Sequence, residues 1–516
     1  MRSPRMAAVL GTLTFGVLMS IMSLERVYFT DQPSPPTQKR IRLMKQVTDP
    51  NYTQFVVINP EREYRQGDVL TAVIVARDAR GRPKTYGGDF FRAKLVSVRP
   101  REASSAGHVI DHGNGTYTVQ FSLYWAGGVK ASIQLVHPSE AVKVLQRVRA
   151  VPNKRIFFCS FVDAEAKIIV RRRCFSSKPA SLLPHQLCDF SRGDENGRWF
   201  CKRPPSPISC SSISKCWWDG NKTYDQVPSL VSQTERKLFE SPFLEEELKQ
   251  DVPRLIRVKP SGQSSVHRLL KCSVNTPDVL SQGYWSRNVW KSSVCRVRLF
   301  GRKDVQRCLA KKEVYLQGDS TLRQWYLRLG KLVPLRSHGD SRAGPATGVN
   351  KHWKIAAYYR FHGFPIQVAT VLKFRQIRYV TDSLDSIRGG PNTLIVLGLW
   401  AHFTAEPLEM FRARLFAIQS AICRLLRRSP GTRVFLRTGT TREHKESKLQ
   451  FYMLGSDWLG YQITQEIRRT FNKEKNVVVL DTWDMSVCQW EPDRIHPGRI
   501  MIDSQLNMLL SHICPN

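Results

Sequence analysis

Cysteine is absent before Cys159, and no two cysteines stand as C-x-x-C. The first absence sets a cysteine-free N-terminal part apart from the rest. The second excludes the usual zinc-finger spacings. Acidic residues are also scarce: 43 Asp and Glu face 79 Lys and Arg, a formal charge of +36. Such a field favours anionic partners, whether nucleic acid, an anionic membrane surface or acidic glycans. Aromatic nucleic-acid platform motifs are missing, so nucleic acid is set aside. The basic residues are spread along the chain apart from Arg171-Arg172-Arg173 and Arg427-Arg428, short runs that read as solvated surface. There is no internal repeat. With 516 residues, 41% of them hydrophobic, the chain can bury the cores of two or three domains.

The N-terminus addresses the compartment. Arg2 and Arg5 precede an apolar run from Met6 to Leu24, nineteen residues without a charge. A helix needs roughly 20 such residues to span a bilayer, and the positive flank keeps the N-terminus cytoplasmic. No A-x-A cleavage site follows, which favours an uncleaved signal anchor over a removed signal peptide. Either way the remainder lies in the secretory lumen, as a type II membrane protein of the Golgi or as a secreted chain. N-glycosylation sequons at Asn51, Asn114 and Asn221 fit that address. So do the twelve cysteines, an even set read as disulfides with connectivity open and no metal site.

Composition then divides the chain. Residues 1–25 are the signal segment, and 26–55, with Pro33, Pro35 and Pro36, a stalk. Residues 56–150 read as a β-sandwich. Tyr117, Val119, Phe121 and Leu123 alternate with polar residues, as do Ala131, Ile133 and Leu135, and Asn114-Gly115 and Gly87-Gly88-Asp89 mark turns. Residues 151–300 form a Cys-rich connecting region. From 301 to 516 apolar strands at 313–317, 393–399, 432–437 and 476–481 alternate with helical stretches near 321–329, 407–428, 459–472 and 500–513. The expected class is α/β plus all-β: the sandwich, then a three-layer α/β domain with its site at the strands' carboxyl ends.

At that edge the first strand runs into Gly318-Asp319-Ser320 and then a helix, a turn that exposes a serine hydroxyl beside a helix N-terminus. A serine needs a base, and His496 follows the last strand, with Asp493 three residues earlier to fix its tautomer. A second copy, Gly339-Asp340-Ser341, follows no apolar strand, leads into no helix, and reads as a loop. Gly318, Asp319, Arg323, Trp400 and His402 are oxyanion or pocket candidates, and Arg437 to Thr441 a pocket wall.

The serine followed late in the domain by Asp-x-x-His is the layout of SGNH/GDSL-type ester hydrolases. Over nearly its whole length the chain resembles the NXPE family, the neurexophilin and PC-esterase domain proteins. Tyr86-Gly87-Gly88-Asp89-Phe90, Asn114-Gly115-Thr116-Tyr117 and Leu135-Val136-His137-Pro138-Ser139-Glu140 resemble the neurexophilin-like module, here an immunoglobulin-like sandwich. Tyr315 to Trp325 and Asp493 to Pro497 resemble the nucleophile and terminal blocks of a PC-esterase domain.

The resemblance implies an SGNH-like enzyme acting on O-acyl groups of glycans. Ser320 would carry the acyl group, His496 would be base and acid, and Asp493 would orient it. The usual oxyanion-hole Asn is replaced by Gly398-Leu399-Trp400-Ala401-His402. The expected activity is a lumenal carbohydrate O-acetyltransferase with an acidic acceptor such as sialic acid. It would have no bound cofactor and would draw on a separately supplied donor such as acetyl-CoA. The alternatives are a glycan O-acetyl esterase and a non-catalytic secreted ligand that binds a cell-surface receptor through the neurexophilin-like module.

Overall fold

The computed structural model describes residues 46–98, 103–163, 165–191, 197–251, 255–261, 269–273, 279–342, 344–367, 370–442, 448–471, 474, 476–490 and 493–515. The apolar run Met6–Leu24 and most of the stalk lie outside these residues. Among the described residues no helix is long and apolar enough to cross a membrane.

The alternation that marks 56–150 as strands has a structural cause. In Val69–Val75 and Thr116–Ser122 every second side chain is buried, and the two strands pair antiparallel. They belong to a five-stranded sheet. Phe90–Ser97 and Gly127–His137 pair in a second sheet. Leu70, Ile74, Tyr117 and Phe121 of the first share one core with Phe91, Leu95, Ile133 and Leu135 of the second. Later segments complete the sheets. Ile256–Lys259 pairs with Gly127–His137, and the Gly283–Ser286/Val289–Ser292 hairpin adds to Ala103–Ala106. Part of the stretch expected as a connector therefore lies in these sheets, in strands of four residues too short to show a period.

Much of the rest of that stretch builds five strands of a six-stranded sheet around Phe157–Asp163, whose sixth strand, Leu372–Lys373, comes from the C-terminal part. Disulfides Cys159–Cys216, Cys174–Cys201 and Cys188–Cys210 cross it. Cys272–Cys295 and Cys308–Cys514 complete the bonded set. The expectation of twelve paired cysteines is corrected to ten: Cys423 is free and exposed, Cys488 free and buried. Cys488 Sγ lies 3.0 Å from the Asp484 carbonyl, inside the protein and out of reach of a surface thiol.

The C-terminal part is a seven-stranded sheet between helices. Its strands are β1 (Glu313–Gly318), β2 (Arg336–Gly339), β3 (Ala346–Asn350), β4 (Ile355–Phe361), β5 (Thr393–Gly398), β6 (Arg433–Arg437) and β7 (Val477–Leu480), in the order 2-3-4-1-5-6-7. From β4 through β7 all neighbours are parallel; β2 and β3 add an antiparallel extension. Every residue of β5 is buried, the mark of a strand covered on both faces. Leu316, Leu394, Val396 and Phe435 face α1 (Ser320–Leu332) and α4 (Arg499–Ile513). Ile395, Leu397, Val434 and Leu436 face α2 (Leu408–Arg428) and α3 (Asp457–Phe471). Strand direction reverses its spatial progression at β1, so the open edge of the sheet lies where β1 ends, the usual ligand position in such sheets.

Candidate active site

Gly318 ends β1 against β5. A Cβ there would stand 2.2 Å from the Gly398 carbonyl oxygen, so only glycine lets the two strands close this tightly. Asp319 follows, fully buried, as the N-cap of α1: it accepts from the Thr321 N–H at 2.9 Å and the Thr321 hydroxyl at 2.5 Å. Its second oxygen accepts from the backbone N–H groups of Ala401 at 2.9 Å and Trp400 at 3.3 Å. Burial by itself raises its pKa; His402, the Arg437 guanidinium and these donors overcome that and hold it below the ordinary aspartate value. Asp319 is thus a fixed anion under the turn, with its lone pairs committed.

Arg437, at the end of β6, is fully buried and donates to the Thr321 hydroxyl. Desolvation pulls its pKa down to about 10, with the Asp319 charge opposing, so it stays cationic at neutral pH. Trp400 is buried, its indole N–H donating to Thr321 Oγ1 at 3.1 Å. The pocket-wall and oxyanion candidates Arg437 and Trp400 therefore spend their described hydrogen bonds on the serine turn itself.

Ser320 stands on this platform as the first residue of α1. Its Oγ lies 2.8 Å from His496 Nε2, across 176 residues of chain. A neutral ring accepts the hydroxyl proton there. Partial enclosure of the ring depresses the His496 pKa and the Arg323 charge adds to this, while Asp319 opposes it, so at pH 7 the ring nitrogen is free to accept. Asp493 is half-buried on the same loop; a Cβ on Gly498 would meet its Oδ1 at 2.9 Å.

Helices hold the loop in place. Gln324 of α1 donates to the Pro497 carbonyl at 3.0 Å, the Trp325 indole to Gln505 Oε1 at 2.9 Å, and Arg328 grips Asp503 at 2.5 and 3.0 Å. Arg323, one turn after Ser320, is half-buried, and its Nε has no hydrogen-bond partner among the described residues. That donor and the helix N-terminus supply positive potential next to the hydroxyl.

His402 is buried behind the turn, its Nδ1 2.9 Å from His362 Nε2. His362 Nδ1 donates to the Phe364 carbonyl at 3.2 Å, which leaves its Nε2 to accept from His402. Burial depresses both pKa values, that of His402 to about 4. His362 and Thr321 were not singled out by the sequence; His362 reaches the site through strand order, and Thr321 follows Ser320 on α1. The second Gly-Asp-Ser sits at the end of β2, an exposed edge strand, and no helix follows. Asn51, Asn114 and Asn221 are all exposed.

Two family models match the chain. One, "NXPE family member 4-like, C-terminal domain", covers residues 290–514. The other, "Neurexophilin", covers residues 32–239. The chain belongs to the NXPE family. The first match contains Ser320, Asp493 and His496 together with the whole seven-stranded sheet. The second covers the β-sandwich core and runs on through the disulfide-crossed sheet at 157–218.

Proposed function

We propose that this NXPE-family chain is an acyl-transfer enzyme of glycans: a lumenal carbohydrate O-acetyltransferase working through an acyl-serine. The observation that carries the reading is Ser320 Oγ at 2.8 Å from His496 Nε2 at the end of a parallel strand. The PC-esterase relationship of the matched C-terminal domain points to ester or acyl-transfer chemistry. The domain class we infer is SGNH/GDSL-like, supported by the five parallel strands in the order 4-1-5-6-7 with the serine following β1. The N-terminal sandwich is read as immunoglobulin-like.

In the proposed cycle Ser320 Oγ attacks the acyl carbonyl of the donor and passes its proton to His496 Nε2, with Asp493 orienting the ring. The oxyanion is held by the Ser320 N–H and the Arg323 guanidinium. His496 then protonates the leaving group, for which an acetyl thioester such as acetyl-CoA, supplied separately to the lumen, is suited. An acceptor hydroxyl gives its proton to His496 and attacks the acyl-serine, releasing an O-acyl glycan and free Ser320. Water in place of the acceptor would make the same site an esterase. The +36 charge favours an acidic acceptor such as sialic acid.

Five disulfides and exposed sequon asparagines support a secretory-pathway address, in the Golgi or beyond the cell. The neurexophilin match favours, as a second reading, a cell-surface receptor partner for the N-terminal part. Expression of wild type and Ser320→Ala in cells separates the two. The catalytic reading expects O-acetylated glycans to change with wild type and return to background with the variant. Equal levels from both would refute it.

A further inference from the structure

Outside the serine site the molecule holds a cavity of about 620 Å³ between the β-sandwich and the C-terminal sheet. That is the volume of a small-ligand site. Its walls come from both parts. Phe90 and Val109 rise from the sandwich; Tyr461, Trp483 and the carboxylates Asp481 and Asp484 come from α3 and the segment after β7. The aromatic rings form a connected wall: Phe90 and Tyr461 centroids are 5.6 Å apart, Tyr461 and Trp483 5.3 Å.

The charges select the ligand. The guanidinium groups in the wall, Arg92 and Arg468, are both engaged. Arg92 binds Asp457 and Gln134, and Arg468 Nε binds Asp481 at 2.5 Å. Neither is free to clamp an anion. The carboxylates outnumber them, with Asp89 and Asp111 also in the wall. In a chain of charge +36 this chamber is an acidic place. It presents polar groups to sugar hydroxyls, the Gln282 side chain and Asp484, one of whose oxygens accepts from the Gln282 N–H at 2.9 Å, next to aromatic rings whose negative quadrupole suits the C–H face of a pyranose ring.

We propose that this chamber is a carbohydrate-binding site for neutral, hydroxyl-rich sugar units, separate from the serine site. It reaches the same end of the sheet, since Asp481 in its wall and Ser320 both follow the carboxyl ends of parallel strands. β7 stands three strand spacings from β1, or about 14 Å. A short oligosaccharide spans that distance, so one chain can occupy the chamber while its terminal unit reaches Ser320. Binding in the chamber does not depend on the serine chemistry.

The test uses the full lumenal chain carrying Ser320→Ala, with neutral N-acetyllactosamine oligomers as probe and 3′-sialyllactose for comparison, read by calorimetry and saturation-transfer NMR. Saturable binding of the neutral oligomer is expected, weakened at least tenfold by Tyr461→Ala and by Asp484→Ala. Val109→Trp, which fills the chamber from a half-exposed sandwich position, should abolish it and guards against misfolding of the other two. Chain with Ser320 intact should bind equally. Failure of the neutral oligomers to bind overturns the proposal, as does binding that survives Val109→Trp. Preference for the sialylated probe with indifference to Tyr461→Ala would assign sugar binding to the serine site alone and equally overturns it.

Discussion

At the scale of the residue, the serine turn rests on a buried anion that takes no part in proton transfer. Asp319 has its lone pairs filled by Thr321, Trp400 and Ala401 and its charge balanced by Arg437. What it does is fix the start of α1 and therefore the direction of the Ser320 hydroxyl. The base is tuned separately. Because enclosure and Arg323 depress the His496 pKa, the acid limb of acyl transfer is expected below the ordinary histidine value of about 6.5. A pH–rate profile of acyl-enzyme formation checks this, and Arg323→Gln should move the limb upward. The closeness of Ser320 and His496 was legible because Ser320 directly follows an apolar strand and His496 lies in the segment between the last strand and the last helix. Arg437 read only as a pocket wall, because its contact with Thr321 spans 116 residues and depends on which strands lie side by side. The tyrosines and arginine of β4 hid that strand, and with it His362, from an apolar pattern.

At the scale of the element, α1 and α4 form the clamp that sets the histidine loop over the serine. Gln324, Trp325 and Arg328 each reach across to the loop or to α4, and Cys308–Cys514 closes 206 residues of chain behind them. Cross-linking so long a loop removes a large part of the unfolded chain's entropy, worth about 3–5 kcal/mol. The Cys308→Ala/Cys514→Ala double variant should therefore unfold at distinctly lower denaturant, measured by far-UV dichroism, with a steeper slope because its unfolded chain is less compact. The helices of this domain could be placed from their periods because each is long, and β1, β5, β6 and β7 because each carries an apolar run. The short strands at 256–259 and 283–292 carry too few residues to declare a face, so their membership in the sandwich sheets was beyond sequence patterning.

At the scale of the whole molecule, several histidines are buried neutral in different parts of the structure. Desolvation lowers the pKa of His137 to about 3 and those of His402 and His512 to about 4, and that of His362 well below the ordinary value. His137 sits between Phe239 and Tyr452, where sandwich and C-terminal helices meet. The sign follows from linkage. The unfolded chain binds protons to these rings near pH 6.5 while the folded chain does not. Their contribution is intact above about pH 6.5 and is lost as pH falls from there towards 4. Melting temperature should drop on going from pH 7.5 to pH 5, and His137→Phe should flatten that dependence; an equal drop in the variant would remove His137 from the account.

The distance in chain between Ser320 and His496 has a consequence for biosynthesis. In the folded chain the two blocks meet across a sheet that β4 to β7 complete and beside α4 docked on α1. Contacts of such long sequence separation form late. We predict that a serine-directed fluorophosphonate labels refolding protein with a lag behind the recovery of sheet dichroism. If so, chemical reactivity is a certificate of completed folding, and an immature chain in the lumen carries a serine with no more reactivity than any other.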